Sequence, residues 1–207
     1  MTGSFPIAPA DIPYITTEQM IEVDRAMMED FGISLLQMME NAGRNLASVV
    51  VNTALNGGTA GKRVLVAAGP GGNGGGALVA ARNLHNRGCA VTVLLVAADE
   101  SKITDAVRNQ LRIVRSIGLS VDLQWNTNFD DADVIVDGIF GYSLTGNPRE
   151  PAASVITRIN ESISGLQLLL REWKKNRQSK SFGKWAVTKF RATYFPDPLP
   201  PMKRWPG

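Results

Sequence analysis

Between an apolar run and a helical pattern, the chain reads Gly69-Pro70-Gly71-Gly72-Asn73-Gly74-Gly75-Gly76. Glycines there permit positive φ and let a ligand approach backbone amides. A helix start just beyond them supplies unpaired N–H groups and a partial positive charge suited to phosphate. Asn73 is the one side chain of this segment able to coordinate or hydrogen-bond, and its carbonyl oxygen suits a hard cation or a substrate hydroxyl. Asp137 is the second chemically informative residue, a carboxylate near the end of the otherwise apolar Val134-Ile135-Val136-Asp137-Gly138-Ile139-Phe140. Burying it costs desolvation energy unless a cation or donors meet it, and open α/β sheets bind ligands at the carboxyl ends of their strands. Its plain structural role would be to cap the following turn. Just beyond it, Gly141-Tyr142-Ser143-Leu144-Thr145-Gly146-Asn147 offers hydroxyls and a pliant backbone that can close over a polar substrate.

Gly69, Gly71 and Gly74 also satisfy G-x-G-x-x-G, and Asp99 ends the next apolar run, where a dinucleotide fold would place a ribose-binding acid. So glycine-rich a run meets many spacings by chance, and an ordinary NAD-dependent oxidoreductase is one reading among several. A P-loop is excluded, because no Lys-Ser or Lys-Thr follows. With a single cysteine, Cys89, the chain can form no internal disulfide and no Cys-rich zinc site. With a single histidine, His85, any histidine-based nucleophilic mechanism must use that imidazole. His85 is expected on a solvated helix face, and Cys89, preceding a buried strand, is expected to be inert.

These residues need a scaffold to hold them. Thr16 with Gln19 has capping-box spacing, and Met20, Val23, Met27 and Phe31 follow at helical intervals. Ser34 with Gln37 repeats the signal, ahead of Leu35, Met39, Ala42, Leu46 and Val49, to about Ala54. Met38 and Met39 read as core filling. Val64–Ala68 and Ala90–Ala98 read as strands buried on both faces, with Leu119–Leu123 and Val134–Phe140 as further strands. Ala77–Arg87, Ser101–Ile117 and Ala152–Ile163 carry helical patterns. Strands alternating with helices predict parallel βαβ units in a three-layer α/β fold.

At 207 residues with 44% hydrophobic content, the chain can bury one full core, and no apolar run approaches the roughly 20 residues of a bilayer span. Met1 to Pro13 lacks the basic start and apolar centre of a secretory signal, so the expected location is cytoplasmic. The net charge of +3 is unevenly distributed: residues 166–207 hold ten Lys or Arg against two acids, together with Trp173, Trp185 and Trp205. Two origins compete for this basic, aromatic tail, which is expected to lie outside the fold and to be largely disordered. It could bind nucleic acid or an anionic surface, or it could be unrelated to the fold and arise from an altered reading frame near Gly165.

Three groups of residues together resemble a known family. They are Tyr14-Ile15-Thr16 through Met38-Met39-Glu40-Asn41-Ala42-Gly43; the glycine segment leading to Val79-Ala80-Ala81-Arg82; and Val136–Gly141 with Arg149-Glu150-Pro151. The resemblance is to the YjeF N-terminal domain, the NAD(P)H-hydrate epimerases, and covers about residues 14–164. It implies a Rossmann-like three-layer α/β/α sandwich with a mostly parallel central sheet. It also implies an isomerase that interconverts the R and S forms of hydrated NADH and NADPH (NADHX and NADPHX), coupled to a separate ATP- or ADP-dependent dehydratase. By the same resemblance Asn73 and Asp137 hold a potassium ion. Gly72, Asn73, Gly74, Gly75 and Gly76, with Gly141, Tyr142, Ser143, Leu144, Thr145, Gly146 and Asn147, would line the substrate. A homodimer is left open, as is a noncatalytic, RNA-binding module of the same descent.

The chain departs from the family pattern in two places. The family loop usually reads N-N-G-G-D-G, whereas Gly72 and Gly76 stand here for the first Asn and the Asp, and weaker binding is expected. The family continues with a strand bearing an Asp-x-Pro-Ser-Gly type motif, whose Asp is the expected acid-base group and whose Ser helps bind potassium. After Ser164 this chain gives Gly165-Leu166-Gln167-Leu168-Leu169-Leu170-Arg171-Glu172 instead. A sheet short of strands and an impaired activity are the expectations, and no catalytic residue is assigned.

Overall fold

The computed structural model describes residues 15–142, 144–162 and 167–169. Two helices open the chain, α1 (Thr17–Glu29) and α2 (Leu35–Val49), and α2 widens into a π-helical turn over Val50–Ala54. Then come β1 (Arg63–Ala68), α3 (Gly72–Asn86), β2 (Ala90–Leu95), α4 (Asp105–Ser116), β3 (Ser120–Asp122), β4 (Val134–Gly138), α5 (Ala152–Ser162) and β5 (Gln167–Leu169). The five strands pair in the order β3-β2-β1-β4-β5, every pair parallel.

Successive strand residues point to opposite faces, and here both faces are dry. Val64, Val66, Val93 and Val136 join Leu78, Leu84 and Leu111 under α2, α3 and α4. Leu65, Ala67, Leu94 and Ile135 join Phe129, Val155 and Ile159 under α5. This is the expected Rossmann-like three-layer sandwich, with every pairing parallel where only a mostly parallel sheet was anticipated. Among the described residues, no helix is long and apolar enough to cross a membrane.

Three expectations are corrected. Helix α3 begins at Gly72, not Ala77, so most of the supposed glycine loop is the helix's first turn. Four glycines in a helix are unfavourable by propensity, but packing requires two of them: a Cβ on Gly74 would overlap the Gly69 carbonyl, and one on Gly75 the Met39 thioether. Helix α4 begins at Asp105, not Ser101, because Asp99 caps a separate 3-10 turn over Glu100–Lys102 and Thr104 caps the helix itself. Strand β5 lies inside the segment that was expected to leave the fold after residue 164. Its residues Gln167, Leu168 and Leu169 pair with Val134, Ile135 and Val136, so the sheet gains a fifth strand there. The rest of that segment lies outside the described residues.

Candidate functional site

The strand order places β1 centrally, with β2 and β3 on one side and β4 and β5 on the other. The loops leaving β1 and β4 therefore diverge, opening a crevice at the carboxyl edge, which is where doubly wound sheets bind ligands. The two strand ends are tied together there, the Gly69 N–H donating to the Gly138 carbonyl at 3.1 Å. Neither position accepts a side chain: a Cβ on Gly69 would overlap the Ile139 carbonyl, and one on Gly138 would overlap the Ala77 methyl.

A cleft of about 1820 Å³ opens above this junction. One wall is the start of α3, with Gly71, Gly72, Asn73 and Gly76; the opposite wall is the loop after β4. Helices α1 and α2 complete it with Met20, Asp24, Asn41 and Asn45. The N-cap of α3 is Gly71, which offers no capping side chain. The first backbone N–H groups of α3 thus stand at the cleft wall, suited to an anion.

A smaller cavity of about 150 Å³ is lined by Asn73, Gly76, Asp137 and Gly138, with Ala42 and Gly43 of α2. The Asn73 amide nitrogen donates to the Phe140 carbonyl at 2.6 Å, which commits the nitrogen and leaves the amide oxygen as acceptor. Asp137 is buried, 9% exposed, and one of its oxygens accepts the Ile139 N–H at 3.0 Å. The turn-capping role is therefore real for Asp137, alongside its place on the cavity wall. Among the described residues no group of three or more His, Cys, Asp or Glu gathers as a metal site.

Gly72, Asn73, Gly76, Gly141, Tyr142, Leu144, Thr145 and Asn147 all line the large cleft. Gly74 and Gly75 do not: both are buried, seating α3 against Gly69 and Met39. Gly146 turns the second loop at φ +79° and is not on the cleft wall. Ser143 lies outside the described residues. Asp99 is exposed and engaged locally, its carboxylate accepting from the Ser101 N–H at 2.7 Å and from the Ser101 hydroxyl, which holds it below the usual carboxylate range. It does not stand on the cleft wall, although Ala98 does. His85 is exposed near the end of α3. Cys89 is buried, and burial pushes its thiol up, away from the reactive thiolate.

The residues that sequence reasoning missed come from the first two helices. Asp24 accepts the Tyr142 hydroxyl at 2.6 Å, tying the loop after β4 to α1. Asn41 and Asn45 face the cleft one helical turn apart, a polar i,i+4 pair beside Met38 that could have marked α2 as more than core filling. Glu40 and Arg82, from two separate motifs, form an ion pair that clamps α2 to α3.

A family model described as YjeF-related protein N-terminus matches residues 35–173. An NAD(P)H-hydrate epimerase of Dehalogenimonas lykanthroporepellens is 40% identical over 150 residues, covering 72% of this chain and 60% of that protein. A bifunctional NAD(P)H-hydrate repair enzyme Nnr of Hyperthermus butylicus is 38% identical over 159 residues, covering 74% of this chain and 28% of that protein. The chain thus spans less than two thirds of these relatives. The crystal structure of yeast ynu0 superposes with a TM-score of 0.68 at 28% identity, covering 76% of this chain and 68% of that one. With its parallel sheet, its switch-point cleft and a matched model reaching from α2 past β5, the chain belongs to the family of YjeF-related protein N-termini.

Proposed function

We propose that this cleft binds NADHX and NADPHX and epimerises their R and S forms, in the cytoplasm, upstream of an ATP- or ADP-dependent dehydratase. The observation that carries the reading is the convergence of Asn73 and Asp137, from α3 and β4, on one small cavity below a cleft of dinucleotide size. Relatives named for that reaction lend it support.

Each residue then has a physical task. The uncapped start of α3 meets the pyrophosphate, and Tyr142, Thr145 and Asn147 offer hydrogen bonds to ribose and nicotinamide groups. Asn73 and Asp137 are hard oxygen donors, and a buried carboxylate is cheapest beside positive charge, so the pair suits a potassium ion. When bound, the ion would supply fixed positive charge that stabilises negative charge developing on the substrate. Inversion at the hydrated ring carbon requires reversible loss of hydroxide or ring opening, which a positioned acid-base group assists by about 10²–10⁴-fold. Leu170-Arg171-Glu172 follow β5 where the family pattern leads to expect an acid-base carboxylate, so slow turnover is the expected behaviour.

The test follows R-NADPHX conversion in potassium buffer, coupled to a dehydratase that consumes the S form. A rate above the spontaneous one, lowered at least tenfold by Asp137→Ala and by Asn73→Ala, is expected. A rate at background that neither substitution changes would leave the domain a binding module.

A further inference from the structure

Helix α1 buries none of its residues. Its inner side forms a cleft wall, while outward it and the turn into α2 expose Ile21 (54%), Met28 (42%), Phe31 (71%) and Leu36 (41%). The same stretch carries Glu18, Glu22, Glu29 and Asp30, and its one cation, Arg25, already pairs with Glu22, Glu29 and Asp30. An apolar patch with an acidic rim fits a partner that is both aromatic and basic.

Residues 170–207 have that chemistry. They hold ten Lys or Arg against Glu172 and Asp197, interleaved with Trp173, Phe182, Trp185, Phe190, Tyr194 and Phe195. They also start from the right edge of the molecule. Strand β5 runs parallel to β4, so the backbone leaves it at the carboxyl edge, where the loops after β1 and β4 and the cleft-facing side of α1 stand. A dozen extended residues reach about 40 Å, and α1 is only about 20 Å long. A second copy of the same face fits less well, because it would set acid against acid.

We propose that residues 170–207 dock in cis on the outer face of α1 and the α1–α2 turn, with aromatic side chains on Phe31 and Leu36 and cations against Glu22, Glu29 and Asp30. Docking braces α1 as a cleft wall. The proposal does not depend on the epimerase reading, since a chain without turnover can still dock its own tail.

The experiment uses the full chain as an equal mixture of ¹⁵N-labelled and unlabelled protein, treated at low salt with a zero-length carboxyl–amine crosslinker and read by mass spectrometry. Crosslinks from Lys174, Lys175, Lys180, Lys184 or Lys189 to Glu22, Glu29 or Asp30 are expected within same-label chains. They should fall at least fivefold in about 1 M salt, where the Debye length shrinks to about 3 Å. They should fall as well in Phe31→Ser/Leu36→Ser, which keeps every carboxylate and alters only exposed side chains outside the cleft lining. Amide exchange across α1, slow at low salt and faster in the double variant, gives an independent readout. The proposal is overturned by mixed-label crosslinks, which assign the face to a second copy, or by crosslinks indifferent to both salt and the double variant. It is equally overturned if the tail lysines show no crosslink and become protected only on adding single-stranded RNA.

Discussion

The glycines of the site divide by what surrounds them. At Gly72 and Gly76 an added Cβ meets nothing within 4 Å, and both face the cleft, whereas at Gly74 it would overlap backbone. Open space at the two positions where the family pattern carries Asn and Asp means that those side chains can be put back without moving the helix. Gly72→Asn and Gly76→Asp are each expected to tighten NADPHX binding about 10- to 100-fold, since a restored hydrogen bond to a polar ligand contributes roughly 1.5–3 kcal/mol at best. Titration calorimetry against both epimers measures it. Gly74→Ala tests the opposite class. Its methyl must displace the Gly69 carbonyl, and overpacking of this kind costs about 1–3 kcal/mol, visible as a lower urea midpoint with the slope unchanged.

At the level of elements, legibility tracked the range of the interaction. Both capping boxes, Thr16 with Gln19 and Ser34 with Gln37, form as their spacing foretold, because donor and acceptor are three residues apart. The start of α3 was misread because glycine opposes helix locally, and only contacts from Gly69 and Met39 override it. Strand β5 was invisible for a related reason: three residues in a basic stretch carry no pattern, and β4 supplies their partner. The loop between β3 and β4 was equally silent. There Trp125 sits at φ +54° and donates its indole N–H to the Leu95 carbonyl at 2.8 Å, while Arg158 of α5 bonds the Trp125 and Thr127 carbonyls. Asp122 organises that loop. Burial pushes its carboxyl up, but bonds from the Thr127 hydroxyl and from the Thr127, Gln124 and Trp125 N–H groups outweigh burial and hold it below its ordinary value of 3.8. A depressed folded-state value stabilises the fold above the unfolded value and loses that contribution as pH falls through the folded one. Asp122→Asn is therefore expected to destabilise by about 1 kcal/mol near neutrality. The difference from the parent should shrink below about pH 3.9, which parallel denaturation curves at pH 7 and pH 3 would show.

For the whole molecule, the informative relation is between residues far apart in sequence and joined by topology. Asn73 and Asp137 could be picked out singly by side-chain type, but what brings them to one cavity is the parallel pairing of β1 with β4, Ala67 beside Asp137 and Ala68 beside Gly138. Alternating strand and helix patterns made that pairing legible as a class, though not in register. A cation bound between α3 and β4 would join two layers of the sandwich, so its removal should weaken the fold and not the site alone. An ion held with a dissociation constant near 10 mM contributes about 1.4 kcal/mol at 100 mM, worth roughly 2–8 °C in thermal midpoint for a domain of this size. Exchanging potassium chloride for tetramethylammonium chloride at equal ionic strength should lower the midpoint by that much in the parent chain. Asp137→Asn removes the carboxylate's charge while keeping its shape, and the two salts should then give the same midpoint. A parent midpoint indifferent to the exchange would leave Asp137 to its bonds within the fold, the Ile139 N–H among them, and would withdraw potassium from the site while leaving the cleft intact.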